Sequence, residues 1–327
     1  MGRLLLALVV LSSLAIVPSS GLAAMTRTDL APVASAEAPI AAYGGWVVWS
    51  ERGLDRLYRL VAFHDGAKQE LTAVAPRPVP FDVDIGPDAL GRPQATFSRC
   101  VNEQVHPLRC RLRSLALLGG AEIGLPVPRS DKASDQLPSR WGNRVAFERL
   151  LEPAAASELM LYDIRTHRVK RLRHGSVPDR RTTAGRATAI DLGPETVAYS
   201  WSSWSRTQGP GPWTEVRAQS TRNGRQLRNN PIDPADGRFC GTSEPRSPNA
   251  VTRGAFFLNY LAGCDAEEGE LALLDLNRKA TENLGPLADV RRIARDATDG
   301  TVYLVMGQEG AMRLVRMDAP PPLVTAL

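Results

Sequence analysis

Apolar and polar positions alternate along this chain in short runs, each broken by Gly, Pro, Asn or Asp. That is the pattern of β-strands joined by turns. The stretch from Asn143 to Leu172 shows the unit: Val145-Ala146-Phe147, a break at Pro153 and its alanines, then Leu159-Met160-Leu161-Tyr162. A turn from Asp163 to His167 follows, and Val169 to Leu172 alternate apolar with basic side chains. Helical periodicity is almost absent after the N-terminus.

The unit recurs. The first run has equivalents at Val47-Val48-Trp49-Ser50, Ala95-Thr96-Phe97-Ser98, Val145-Ala146-Phe147-Glu148, Val197-Ala198-Tyr199-Ser200, Ala255-Phe256-Phe257-Leu258 and Val302-Tyr303-Leu304-Val305. Successive third positions lie 47 to 58 residues apart, and all but Leu304 are aromatic. A second anchor follows in four units, where Leu60, Leu161, Val216 and Leu273 each precede a Leu by 11 residues. A period of this length with several strands per unit predicts a β-propeller. One small sheet cannot bury both faces, so the units must stack around an axis with the third-position aromatic between neighbours. The expected fold is all-β: a six-bladed β-propeller of four-stranded antiparallel blades over residues 40–327.

The order Val-Ala-Phe-(Ser/Glu), variable loop, Leu-x-Leu-Tyr-Asp, turn, closing Leu resembles the blade repeat of TolB-like six-bladed propellers, of the WD40-like type. The resemblance covers Ile40 to the C-terminus. The Trp-Ser-Pro-Asp-Gly turn usual in that family is degenerate here, as Gly86-Pro87-Asp88, Trp141-Gly142-Asn143, Gly193-Pro194-Glu195 and Asp299-Gly300. The resemblance implies a role in interaction rather than catalysis.

Residues 1–24 carry one Arg, an apolar stretch from Leu4 to Val17 and the small-residue end Gly21-Leu22-Ala23-Ala24. This is a signal-peptide pattern, with cleavage expected after Ala23 or Ala24. The stretch is shorter than the ~20 residues a membrane-spanning helix needs, and no later segment is apolar enough to span. A secreted, periplasmic or bacterial cell-envelope location follows as the expectation. Residues 25–39 read as a flexible lead-in or as a strand closing the last blade; Leu323–Ala326 is a second candidate for that strand. In an exported chain, the even set Cys100, Cys110, Cys240 and Cys264 implies disulfides with three connectivities open, local pairing (Cys100–Cys110, Cys240–Cys264) being the expectation.

Net charge is +5, and only four of the 40 basic residues are Lys. The densest basic run, Arg165 to Arg186, fits a solvated outer strand, with an anionic surface as its alternative partner. No nucleic-acid role is expected.

The longest connections between second and third strands are Arg99–Arg109, Ser202–Pro212 and Ala262–Gly269. All emerge on one rim, where insertions mark a binding face. His106 and Arg109 sit in the first of these loops; Trp204 and Arg206 belong to the second, and Trp213 directly follows it. Asp82, Asp84, Arg140, Asp191 and Arg292 fall on expected innermost strands and so could line the channel. Two acids on one strand face, Asp82 and Asp84, could raise each other's pKa. The acidic loop Cys264–Glu270 and the turn Asp296–Gly300 read as solvated. No nucleophile elbow, H-E-x-x-H helix or phosphate loop occurs, and no cofactor or metal is expected. The reading is a non-enzymatic binding or scaffolding module for a protein, peptide or cell-envelope polymer, acting through the long-loop rim and the channel mouth. The alternative is an extracellular hydrolase or lyase using Asp82 and Asp191 with a divalent metal.

Overall fold

The computed structural model describes residues 27–35, 37–101, 109–129, 131–151, 156–172, 182–205, 212–232, 248–252, 255–261, 268–275, 280–288 and 290–317. For residues 156, 182–184, 202–205, 212–216, 227–232 and the strands between 248 and 288 it describes the backbone alone. The first strand, β1 (Arg27–Pro32), is followed by β2 (Ile40–Tyr43), β3 (Trp46–Arg52), β4 (Tyr58–His64) and β5 (Ala67–Glu70). Then come β6 (Asp84–Pro87), β7 (Pro93–Arg99), β8 (Arg111–Ala116) and β9 (Ile123–Gly124). Next are β10 (Ala133–Trp141), β11 (Arg144–Leu151), β12 (Ala156–Asp163) and β13 (Arg168–Arg171). They are followed by β14 (Thr182–Leu192), β15 (Thr196–Ser205), β16 (Pro212–Ser220) and β17 (Gln226–Ile232). The chain continues through β18 (Pro248–Thr252), β19 (Ala255–Leu261), β20 (Glu268–Asp275) and β21 (Ala280–Ala288), then β22 (Val290–Arg295), β23 (Val302–Met306) and β24 (Arg313–Met317).

These strands form four-stranded antiparallel sheets: β2–β5, β6–β9, β10–β13, β14–β17, β18–β21, and β22-β23-β24 completed by β1. The fold is an all-β propeller with four-stranded antiparallel blades. Side chains are described for five of the sheets; β18–β21 is described by its backbone. The innermost strand of each sheet touches the next, β2 to β6, β6 to β10, β10 to β14, β14 to β18, β18 to β22, and β22 to β2.

The lead-in thus supplies a closing strand. β1 lies antiparallel to β24 from Arg27 opposite Met317 to Pro32 opposite Arg313, with a bulge between Asp29 and Ala31. Ala31 and Val33 are buried with Leu314 and Met312. The pairing covers the edge that β24 would otherwise expose. The other candidate for that strand, Leu323–Ala326, lies outside the described residues.

The third-position aromatics occupy equivalent places, each packed on the preceding blade. Trp49 joins Tyr303, Val305 and Leu314 of the last blade. Phe97 joins Val48 and Leu60 of the first. Phe147 packs with Leu112 of the second, and Tyr199 with Leu159 and Leu161 of the third. None of the four is more than 1% exposed. Burying one such ring contributes ~2 kcal/mol, so these wedges rank among the larger single terms holding adjacent blades together. The side chain of Phe257 lies outside the description.

The fourth position of the same run serves a different purpose. Ser50 Oγ accepts the Phe81 N–H of the second blade at 3.0 Å. Glu148 Oε1 accepts the Ala187 N–H of the fourth at 2.9 Å. At Ser98 an intermediary appears: Asp82 accepts Ser98 N–H at 2.8 Å and Oγ–H at 2.7 Å, and takes the Leu137 N–H of the third blade at 2.8 Å. The inner strands β10 and β14 each carry a bulge, between Gln136 and Ser139 and between Ala187 and Ala189. A bulge withdraws a backbone N–H from its own ladder; Leu137, inside the first bulge, donates across the blade boundary to Asp82, and Ala187, beside the second, donates across to Glu148. Leu137 sits at φ +49°, just ahead of Pro138.

Candidate functional site at the axial cavity

A cavity of about 70 Å³ lies among the innermost strands. Its walls come from β2 (Ile40–Tyr43), the approach to β6 with its first residues (Asp82–Ile85), β10 (Leu137, Pro138, Trp141), β14 (Thr188–Leu192), and Arg295 with Ala297 after β22. That is room for about two waters or one small head group. Tyr43, Trp141, Leu192 and Arg295 end their strands, so the cavity extends from the mid-axis to the rim of the first-to-second-strand turns. The long-loop connections after β7, β15 and β19 leave from the other rim, because antiparallel strands place alternate connections at opposite ends.

Asp84 is at its floor. One face of the segment Phe81–Ile85 buries Phe81, Val83 and Ile85 against the first blade; the other turns Asp82 and Asp84 toward the third. Asp84 Oδ2 accepts the Arg140 N–H at 3.0 Å. The Ser139 hydroxyl and the Ile85 N–H also bond to it, and Asp191 adds its charge. Burial first, and the charge of Asp191 second, push the Asp84 carboxyl up to about 8 against the pull of those three hydrogen bonds. Asp84 keeps partial exposure toward the cavity, and the protein packed around it drives the upward direction. Ser139 Oγ in turn accepts the Leu192 N–H at 2.7 Å. A polar chain therefore runs Leu192 to Ser139 to Asp84, across three inner strands.

Tyr43 and Trp141 form the upper edge. Their rings meet edge to face with centroids 5.9 Å apart, a favoured aromatic arrangement. Tyr43 Oη donates to Gly91 O at 3.4 Å, and burial with the charges of Asp296 and Asp88 raises its pKa. Leu90, in the turn beside Gly91, is 76% exposed. Sequence reasoning missed both aromatics, Arg295 and Ser139. A signal existed: in two units an aromatic stands directly before the turn glycine, as Tyr43-Gly44 and Trp141-Gly142.

Of the other expected channel residues, Asp191 lines the cavity and Asp82 lies at its margin, with its oxygens engaged by Ser98 and Leu137. Arg140 contributes only its backbone. Its guanidinium turns into the blade boundary, donating to Ser114 Oγ at 3.1 Å and Gly142 O at 3.3 Å, and burial lowers its pKa. Arg292 also leaves the axis: it donates to Ala38 O and Glu37 O, both at 2.9 Å, and so pins the segment entering β2. Arg140 follows the Ser114 hydroxyl and a backbone carbonyl, and Arg292 follows backbone carbonyls, because a guanidinium withdrawn from water needs acceptors within reach.

On the long-loop rim, Arg109 is exposed at φ +53° beside the Cys100–Cys110 disulfide. His106, Arg206, Cys240 and Cys264 lie outside the described residues. Trp204 falls within β15 rather than in a long connection, and Trp213 within β16 opposite Ser203; their side chains lie outside the description. β13 is an outermost strand, with Arg168 and Arg171 exposed and Arg171 paired to Glu158 at 2.9 Å. The turn at Asp296 corrects the expectation of a solvated loop: Asp296 is fully buried. Among the described residues no group of three or more His, Cys, Asp or Glu side chains could hold a metal ion, and no helix is long and apolar enough to cross a membrane.

No protein-family model matches the sequence, and no curated protein matches it. Among solved structures the chain is similar to TolB from Acinetobacter baumannii, with TM-score 0.49 and 14% identity over 85% of this chain and 65% of that one. The chain thus spans about two thirds of the length of that TolB. It is similar to oligogalacturonate lyase from Vibrio parahaemolyticus, with TM-score 0.47 and 11% identity over 92% and 95% of the two chains. It is also similar to the β-propeller domain of the Trilobed protease from Pyrococcus furiosus, with TM-score 0.46 and 11% identity over 90% and 83%. With every score below one half, the propeller assignment rests on the strand pairing itself.

Proposed function

We propose that this chain is an exported six-bladed propeller that binds a protein or peptide segment at the mouth of its axial channel. The blade count is supported by the succession of inner strands from β2 round to β22 and back. The observation that carries the binding role is the preformed cavity, edged by Tyr43 and Trp141 and floored by Asp84. Its walls are inner strands tied to one another by bonds such as Leu192 N–H to Ser139 and Arg140 N–H to Asp84. A site held this way loses little freedom on binding, which favours affinity. The mouth on the short-turn rim takes precedence over the long-loop rim, because the cavity residues lie at the strand ends leading there.

The alternative, a hydrolase or lyase using Asp82 and Asp191, ranks second. Asp82 accepts three hydrogen bonds from Ser98 and Leu137, and a carboxylate so engaged is a poor general base. A cell-envelope polymer, or an anionic surface meeting β13, is the further partner class to compare.

The test is selection of peptides from a displayed library against the purified chain, followed by affinity measurement on variants. Trp141→Ala weakens the selected peptide at least tenfold, while Leu54→Ser on the opposite rim leaves it unchanged, with thermal midpoints as the folding control. Loss of binding in Leu54→Ser with full binding in Trp141→Ala overturns the assignment.

A further inference from the structure

The cavity has two chemically distinct ends. Its floor presents the carboxyls of Asp84, from β6, and Asp191, from β14. Its edge presents the rings of Tyr43 and Trp141, which meet at right angles and are half-buried. Arg295 also lines the wall, but its guanidinium turns to the neighbouring turn, where Nε donates to Gly300 O at 3.2 Å and Asp299 is the charge acting on it. An occupant that satisfies both ends carries a positive charge at its tip and an apolar arm behind it. Aromatic faces attract such a charge on its way in, and the two carboxyls hold it at the bottom. At about 70 Å³ the space takes an ammonium head with the methylene next to it, leaves the rest of the arm along the rings of the edge, and keeps an aromatic side chain outside.

Resting on the peptide-binding reading above, we propose that the cavity receives a lysine-type side chain or another primary amine, its ammonium between Asp84 and Asp191 and its methylenes against Tyr43 and Trp141.

Proton balance follows from the geometry. With only water in the cavity, burial first and the charge of Asp191 second keep a proton on Asp84. An arriving ammonium replaces that proton: the R–NH₃⁺ enters intact, the Asp84 proton leaves to solvent, and both carboxylates face the cation. Binding therefore tightens as pH rises, until the amine itself loses its charge. The titratable and charged groups facing Asp84 among the described residues are Asp191 from β14, Asp82 on its own segment, Tyr43 from β2 and Arg295 from β22. From β10 only the Arg140 N–H and the Ser139 hydroxyl bond to it.

The experiment is calorimetry on the full chain with n-butylamine and with Nα-acetyl-lysine amide, run at pH 6 and pH 8 in buffers of different ionisation heat. Saturable binding is expected, at least tenfold tighter at pH 8, with proton release at pH 6. Asp84→Asn, which has the shape of the protonated carboxyl, folds normally and weakens binding at least tenfold. Absence of saturable binding overturns the inference, as does binding without proton release, or stronger binding of calcium than of either amine. A peptide that still depends on Trp141 while neither amine binds removes this inference and leaves the broader reading standing; loss of both removes both.

Discussion

Asp296 Oδ2 accepts the Gly45 N–H at 2.7 Å across 251 residues of chain. Its other oxygen accepts the Gly44 N–H at 3.0 Å, and also Thr298 N–H and Oγ–H. Gly44 and Gly45 sit at φ +61° and +79°, so two successive N–H groups converge on the carboxylate as in an anion-binding nest. This joins the last blade to the first at the short-turn rim, as β1 joins them at the outer edge. Asp296→Ala takes the acceptor from both donors and removes a buried carboxylate. Unfolding free energy should fall by roughly 1–3 kcal/mol, the worth of hydrogen bonds to a charged group, because water can reach the exposed Gly44 and Gly45 once the carboxylate is gone. Urea denaturation measures it; a loss below half a kcal/mol means the turn is held by other contacts.

The aromatic wedges make a graded prediction. Phe97→Ala and Phe147→Ala each open a cavity between blades and should each cost ~3–5 kcal/mol. Phe97→Leu keeps most of the volume and should cost much less. Leu54→Ser, at a fully exposed site, should stay within ~0.5 kcal/mol. The same denaturation series ranks all four, and equal losses for Phe97→Ala and Leu54→Ser contradict the wedge role.

Gly86 lies where β6 and β10 approach closely. A Cβ built there would stand 1.9 Å from Arg140 O, a backbone atom that no rotamer change can move. Gly142 N–H donates to Pro87 O at 2.9 Å beside it, locking the two strands. Gly86→Ala must push the strands apart, disturbing the Asp84 bond to Arg140 N–H as well. A loss above the ~1–3 kcal/mol of ordinary overpacking is expected. Gly66→Ala, with open space around its Cβ, should cost less and bears only the strain of its φ of +78°.

The wedges were legible from sequence because bulk and period are written in residue identity: Trp49, Phe97, Phe147 and Tyr199 announce both. The Ser50, Ser98 and Glu148 staples were not, although the repeat displayed that position. Their partners are the Phe81 N–H, the Asp82 carboxylate and the Ala187 N–H beside a bulge, and none of these pairings leaves a mark in hydrophobic alternation. Asp296 misled for a related reason: Asp-x-x-Asp-Gly encodes a turn, but nothing local says that Gly44 and Gly45 will cover it. Arg140 and Arg292 were placed on the right strands, but the direction of a long side chain depends on which carbonyls lie within reach. Asp84 and Asp191 were each named without any hint that one would sit near the other, since contact across β10 is a matter of ring geometry.

Asp84 should make the fold measurably less stable at alkaline pH. Its carboxyl ionises at an ordinary 3.8 in the unfolded chain and at about 8 in the folded one. A folded value above the unfolded one means the native state holds the proton more tightly. The stabilisation is therefore complete below pH 3.8 and is lost as pH climbs through 8. Glu148, raised by burial, acts in the same direction. Asp88 and Asp163, lowered chiefly by hydrogen bonds to backbone N–H groups and to Arg92 or Thr166, act oppositely, with stability lost as pH falls below the ordinary carboxylate range. The interval from pH 5 to pH 8.5 thus isolates the raised groups. Unfolding free energy should drop across it by on the order of 2 kcal/mol from Asp84, a figure reduced for the water that reaches the channel. Asp84→Asn, neutral throughout, should flatten the profile and be the more stable protein at pH 8.5. Parallel profiles for the two proteins would show that the carboxyl ionises normally and that water, not protein, surrounds it.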